Sequence, residues 1–273
     1  MRLFVAGLRK LVRRPATFVT FGLLVGLLAL IYIAVGATAR QASSSGNGGR
    51  QALLLLTFPG AYSLLLSFIL GLGGLFAMIY GAAIAGSEWT WGTLKAAVAR
   101  GESRSRYQLL SFVAIAVMVG IGLVVAFAIG TVVAIIAAGL AAVPTTGLND
   151  SATLGTLPEL MARGWLALDE AAALGFAIAT LARSQLAGIG VGIAVYFGEQ
   201  FATIFLPDVV KYLPFNAANA VVATSGSFGG GGGEGGAVVA RLDPNTALIV
   251  VALWLIGGLV VTLLYTERAE ISG

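Results

Sequence analysis

Cysteine and histidine are both missing from the 273 residues. Their absence excludes disulfides, haem, iron–sulfur clusters, thiol nucleophiles, most zinc sites and the usual proton shuttle near neutral pH. Charge is scarce too: 10% of the residues are charged against 58% hydrophobic, and the mean hydropathy is +0.96. A water-soluble domain of this size needs a far more charged surface, so water is not the main solvent. Gly-Lys occurs nowhere, which removes a P-loop. The basic residues form no stripe with interleaved aromatics, so no nucleic-acid partner is expected.

What the chain does have is long apolar runs. Six stretches, 16–37, 60–86, 107–142, 159–182, 185–206 and 246–266, are long enough to cross a hydrocarbon core of about 30 Å. Prolines punctuate them. Pro15, Pro59, Pro144, Pro158, Pro207 and Pro244 fall at or beside predicted ends, Pro214 falls in a connection, and none is expected to interrupt a span. Asp243 followed by Pro244 reads as an N-cap with a first-turn proline. The third span would measure about 55 Å from Tyr107 to Val143. It must tilt strongly or project beyond the bilayer. The basic start and the apolar run ending in Gly36-Ala37-Thr38-Ala39 resemble a signal peptide. That run exceeds the usual ~7–15 residues, and five more spans follow, so cleavage is not expected.

Basic residues orient the spans. Of the 16 lysines and arginines, eleven fall on one side: Arg2, Arg9, Lys10, Arg13, Arg14, Lys95, Arg100, Arg104, Arg106, Arg183 and Arg268. Arg40, Arg50, Arg163, Lys211 and Arg241 fall on the other. The richer side marks the cytoplasm, so both ends are expected on the cytoplasmic side of the plasma membrane. The expected fold is an all-α integral membrane protein, a single transmembrane domain over 1–273. Residues 87–106 form a cytoplasmic loop and 207–245 an external one. Ser43–Gly49 and Ser225–Gly236 are glycine-rich and expected to be flexible. Asp208–Thr224 reads as either a short external helix or a re-entrant hairpin packed on protein.

Four features carry functional weight. In residues 1–14, Phe4, Val5, Leu8, Leu11 and Val12 share one helical arc, while Arg2, Arg9, Lys10 and Arg13 share another. This is the pattern of an interfacial amphipathic helix beside membrane lipid, or of a plain positive-inside anchor. In the 87–106 loop, Trp89 and Trp91 stand beside charges on a segment of helix-forming length. They suit a docking surface as well as an interfacial aromatic belt. Asp169, Glu170 and Glu199 fall inside spans. Asp169 sits about 21 Å and Glu199 about 24 Å up antiparallel neighbours, counted from Arg183, so they share a layer. They read as a polar layer on a translocation path, as a structural set reached by Arg163, or as neutral protonated acids. Finally, Gly22/Gly26 and Gly188/Gly192 have the spacing that lets helices approach closely, within the chain or in a dimer.

Glu88, then Gly92-Thr93-Leu94, then Gly101-Glu102-Ser103-Arg104 leading into a long span resembles the permease subunits of ABC-2-type transporters. The segment Leu174–Ser184 is similar to that family's turn between spans four and five, and Tyr212-Leu213-Pro214 is also like it. One departure is Ser111, where a lysine is common in the family. The resemblance implies an N-terminal elbow helix and a coupling helix between spans two and three. Glu88, Trp89, Trp91, Gly92, Thr93, Leu94 and Arg104 would then couple to a separate ATPase subunit. It further implies export, a second permease chain of the same or a related kind, and ATP with Mg²⁺ in the ATPase. No metal, cofactor or catalytic residue is expected in this chain. Two other classes compete. An ion-coupled secondary carrier would use the buried carboxylates but leaves the tryptophan loop without a role, and no inverted repeat is visible. A membrane-embedded enzyme lacks a nucleophile–base arrangement.

Overall fold

The computed structural model describes residues 2–42, 53, 56–222 and 242–269, with backbone alone for 2–6 and 40–42. The two glycine-rich stretches lie outside the described residues. The order of elements is α1 (Arg2–Val12), α2 (Pro15–Ala42), α3 (Gly60–Thr90), α4 (Thr93–Ala99) and α5 (Arg104–Ala141). A 3-10 turn (Thr146–Asn149) leads to α6 (Ser151–Ala182), α7 (Gln185–Phe205), α8 (Pro207–Val210), α9 (Pro214–Val221) and α10 (Pro244–Arg268). Among the described residues there is no strand. Helices α2, α3, α5, α6, α7 and α10 are long and apolar enough to cross a membrane, and the chain is a multi-pass membrane protein.

Local chemistry sets the ends. The Asp150 carboxylate accepts from the Thr153 N–H at 3.1 Å and opens α6, and the Ser184 hydroxyl accepts from the Ala187 N–H and opens α7. Asp243 accepts from the N–H groups of Asn245 and Thr246, with Pro244 in the first turn of α10. Between α3 and α4 the chain bends at Gly92, whose φ of 65° suits a residue without a Cβ.

Two expectations need correction. Helix α6 begins at Ser151 rather than near residue 159, and Pro158 lies inside it. The missing N–H costs a single bond about two turns from the helix start, and Asp150 holds that start in place. Helix α5 is longer than expected at its basic end, with 38 residues from Arg104, or about 57 Å.

The core lies between α3 and α6, whose spans are 61% and 67% buried against 17% for α2 and α7. These two helices touch backbone to backbone. A Cβ on Gly81 would lie 2.1 Å from the Ala172 carbonyl oxygen, and one on Gly175 would lie 2.0 Å from that of Met78. Helix α7 docks through Gly188 on Ala179 and Gly192 on Met78. Gly22 and Gly26 of α2 face open space instead.

The segment after α7 dips back into the bundle. The Phe215 ring of α9 packs beside Gly74, about 21 Å along α3 from Gly60. Ala217, Ala218, Ala220 and Val221 are buried with it. The stretch combines a feature of each arrangement expected for it, a short helix, α9, and packing against the helices of the bundle.

Candidate functional site

Side chains of α1, α3, α4, α5, α6 and α10 meet at the end of the bundle where the basic residues gather. At its centre Glu88, in the last turn of α3, is 1% exposed. Lys10 Nζ donates to its Oε1 at 2.6 Å, and Arg14 Nη2 lies 3.7 Å away. The hydroxyls of Thr93 and Tyr107 both donate to its Oε2. One carboxylate therefore ties α1, the α1–α2 turn, α4 and α5 to α3. Burying it would be costly alone; three hydrogen-bond donors and the nearby Arg14 guanidinium offset that cost. Arg14 also donates from Nη1 to the Ser87 hydroxyl at 2.7 Å and lies over the Trp91 ring at 5.0 Å.

The next residue makes a second cluster. Trp89 lies under the Arg183 guanidinium at 5.1 Å and near the Tyr265 ring at 6.4 Å, and Arg183 Nε donates to the Tyr265 hydroxyl. This joins α3 to the α6–α7 turn and to α10. Arg104 closes the same end. Its Nη1 donates to the carbonyls of Glu267 at 3.3 Å and Ala269 at 2.8 Å, where a cation suits a helix C-terminus. The Ser105 hydroxyl donates to the Glu267 carboxylate.

Not every residue singled out by sequence faces outward. Trp91 is 65% exposed beside the Gly92 bend, while Glu88 and Leu94 are buried. Thr93 is half-buried and spends its hydroxyl on Glu88, and Arg104 spends its charge on α10. In α1, Leu11 is buried, Leu8 half-buried, and Arg9 and Arg13 exposed. Lys10, placed by the helical wheel with the outward charges, turns inward to Glu88. The side chains of Arg2, Phe4 and Val5 lie outside the described residues. A cavity of about 230 Å³ opens beside the cluster, lined by Lys10, Glu88, Thr93, Arg100, Tyr107 and Ser111 among others.

The second candidate region lies deeper. Asp169, Glu170 and Glu199 are 7%, 0% and 3% exposed. Glu199 is held by the first turn of α9: it accepts from the Phe215 N–H at 3.4 Å and from the Asn216 backbone and side-chain N–H groups at 3.2 and 3.0 Å. Among the described residues, Asp169 Oδ1 and both oxygens of Glu170 have no hydrogen-bond partner. The contact of Gly188 with Ala179 sets the register of α7 on α6 and brings Glu199 level with Leu168, next to Asp169 and Glu170. Arg163 does not serve them; it pairs with Glu159 at 2.7 Å and with Asn245 at 3.2 Å. The α9 donors were missed from sequence. Pro214 opening a short helix with Phe215 and Asn216 as its free first-turn N–H groups was the available signal.

Fold and site together define a multi-pass helical membrane protein with a polar clasp at one end and unpaired carboxyls between its spans. By sequence the chain belongs to the family described as protein of unknown function (DUF2705), whose model matches residues 45–271. That stretch runs from the connection after α2 through α10. No curated protein matches the chain.

Proposed function

We propose that the chain is the membrane-spanning subunit of an ATP-binding-cassette exporter in the plasma membrane. A separate ATPase subunit supplies the energy, with ATP and Mg²⁺ bound there, and a second permease chain completes the transporter. The basic end faces the cytoplasm and meets the ATPase. The observation that carries this reading is the short helix α4 and its neighbour Trp91, which stands exposed beside the Gly92 bend. An exposed aromatic on a rigid, braced element is what a docking surface needs.

The bracing also provides a route for force. Displacing α4 pulls on Glu88 through Thr93, and Glu88 holds α1 and α5. One residue on, Trp89 holds the α6–α7 turn and α10 through Arg183 and Tyr265. Movement at the loop therefore reaches the spans as rigid bodies, in the manner of domain-rotation switches. α1 lies along the membrane surface as the elbow, with Arg9 and Arg13 towards anionic headgroups. The carboxyls at Asp169, Glu170 and Glu199 influence what passes.

The test is purification of the tagged chain from its native membrane in mild detergent, with mass spectrometry of stoichiometric partners. Recovery of a P-loop ATPase is expected, and a chain active alone would reject the reading. In the reconstituted complex, Trp91→Ala should lower transport per ATP hydrolysed by about tenfold, the loss of a modest hot spot. Its melting temperature should stay at the wild-type value. Undiminished coupling would remove α4 and Trp91 from the interface.

A further inference from the structure

Among the described residues, Glu170 is a carboxyl with no counter-charge. It lies about 18 Å along α6 from Ala182, and Glu199 lies about 21 Å along α7 from Gln185. The contact of Gly188 with Ala179 sets the antiparallel register of these helices. Counting equal rises from that contact brings Glu199 level with Leu168, next to Asp169 and Glu170. Both Glu170 oxygens lack a partner and the residue is 0% exposed.

Among the described residues, the surrounding elements supply no cation at this depth. Helix α7 contributes Glu199 and Tyr196, and α6 itself contributes Asp169 and, further outward, the paired Glu159 and Arg163. Helix α3 carries Tyr62, Tyr80 and Glu88, with Tyr62 bonded to the Leu148 carbonyl, Tyr80 to Thr17 and Glu88 in the basic-end cluster. Arg104, Arg106 and Tyr107 of α5, and Tyr265, Glu267 and Arg268 of α10, lie at the basic end. Helix α9 has no titratable residue. An ionised Glu170 would be an unpaired charge buried beside a second carboxylate, an arrangement that costs several kcal/mol. The smallest cation removes that cost without needing space.

We propose that Glu170 is an intramembrane proton-binding site whose occupancy controls the re-entrant helix α9. With the proton on Glu170, the first turn of α9 holds the Glu199 carboxylate through Phe215 and Asn216. Release breaks the Glu170 O–H bond, leaves the electron pair on the carboxylate and passes the proton to water. Two like charges then face each other, and Glu199 withdraws from α9. The edge-on contact of Tyr196 with Phe215, centroids 4.9 Å apart, loosens with it. The site is independent of the ATPase reading, since a transporter with any energy source could carry it.

The experiment uses the full chain in lipid nanodiscs, followed by infrared difference spectroscopy through a pH titration. A carbonyl band of a buried carboxylic acid is expected in wild type, absent in Glu170→Gln, shifted in Glu170→Asp and unchanged in Glu159→Gln. Amide hydrogen exchange of residues 215–221 supplies the second reading. On the alkaline side of the titration it should run about tenfold faster in wild type than in Glu170→Gln, the effect of one pKa unit of coupling. A band that survives Glu170→Gln, or is lost only in Glu199→Gln or Asp169→Asn, overturns the site. Equal exchange in the two proteins overturns its control of α9.

Discussion

Glu88 illustrates how a residue's chemistry can be read from sequence while its partner cannot. An acidic residue beside two tryptophans in a loop suggests a surface contact, but this one sits at 1% exposure beneath Lys10, Arg14, Thr93 and Tyr107. The decisive partner, Lys10, lies 78 residues earlier, and no local pattern encodes that pairing. Removing the carboxylate takes the acceptor from Lys10 and Tyr107 and the counter-charge from Arg14. Glu88→Ala should therefore destabilise the chain by about 3 kcal/mol, the low end for a broken buried pair. Lys10→Ala should cost less, because the Lys10 side chain is 36% exposed and water replaces part of its environment. Denaturant titration of the detergent-solubilised chain, followed by tryptophan fluorescence, gives the comparison. Equal stability of Glu88→Ala and wild type would mean the cluster does not hold this end together.

At the scale of elements, glycine has two uses that sequence alone does not separate. Gly175 lets α6 lie against the backbone of α3, and an added Cβ would fall 2.0 Å from the Met78 carbonyl oxygen. Gly22, in a motif of the same kind, has nothing within 4 Å. Gly175→Ala should accordingly cost about 1–3 kcal/mol by overpacking, and Gly22→Ala should leave the stability of the isolated chain within about 0.5 kcal/mol. Thermal melts of the two variants check the pair, and equal shifts would contradict the assigned packing. Hydropathy revealed the spans because lipid demands apolar length, and Asp243-Pro244 revealed the start of α10 because its capping is local. Pro158 misled because one lost backbone bond near a capped start does not end a helix. The dip of α9 stayed ambiguous because its anchors, Glu199 and Gly74, belong to other helices.

For the whole molecule the informative asymmetry is that of charge and contact between the two ends. One end holds the Glu88 cluster, the Arg183 cluster and the Arg104 cap; the other holds hydroxyl-to-carbonyl bonds such as Tyr62 to Leu148 and Tyr32 to Ala61, with the short-range pairs Arg163–Glu159 and Lys211–Asp208. If the positive-inside rule governs this chain, the first end is cytoplasmic, as an ATPase partner requires. The absence of cysteine makes that directly measurable, because any single introduced thiol is the sole target of a maleimide. Arg100→Cys lies by α4, and Thr146→Cys lies in the turn before α6; both positions are exposed. In intact cells an impermeant maleimide should label Thr146→Cys, and Arg100→Cys should react only after permeabilisation. The reverse pattern would place the clasp outside the cell and end the coupling proposal, while leaving the Glu170 site untouched. Labelling of both from one side would mean that α5 does not cross, and the six-span arrangement would fall with it.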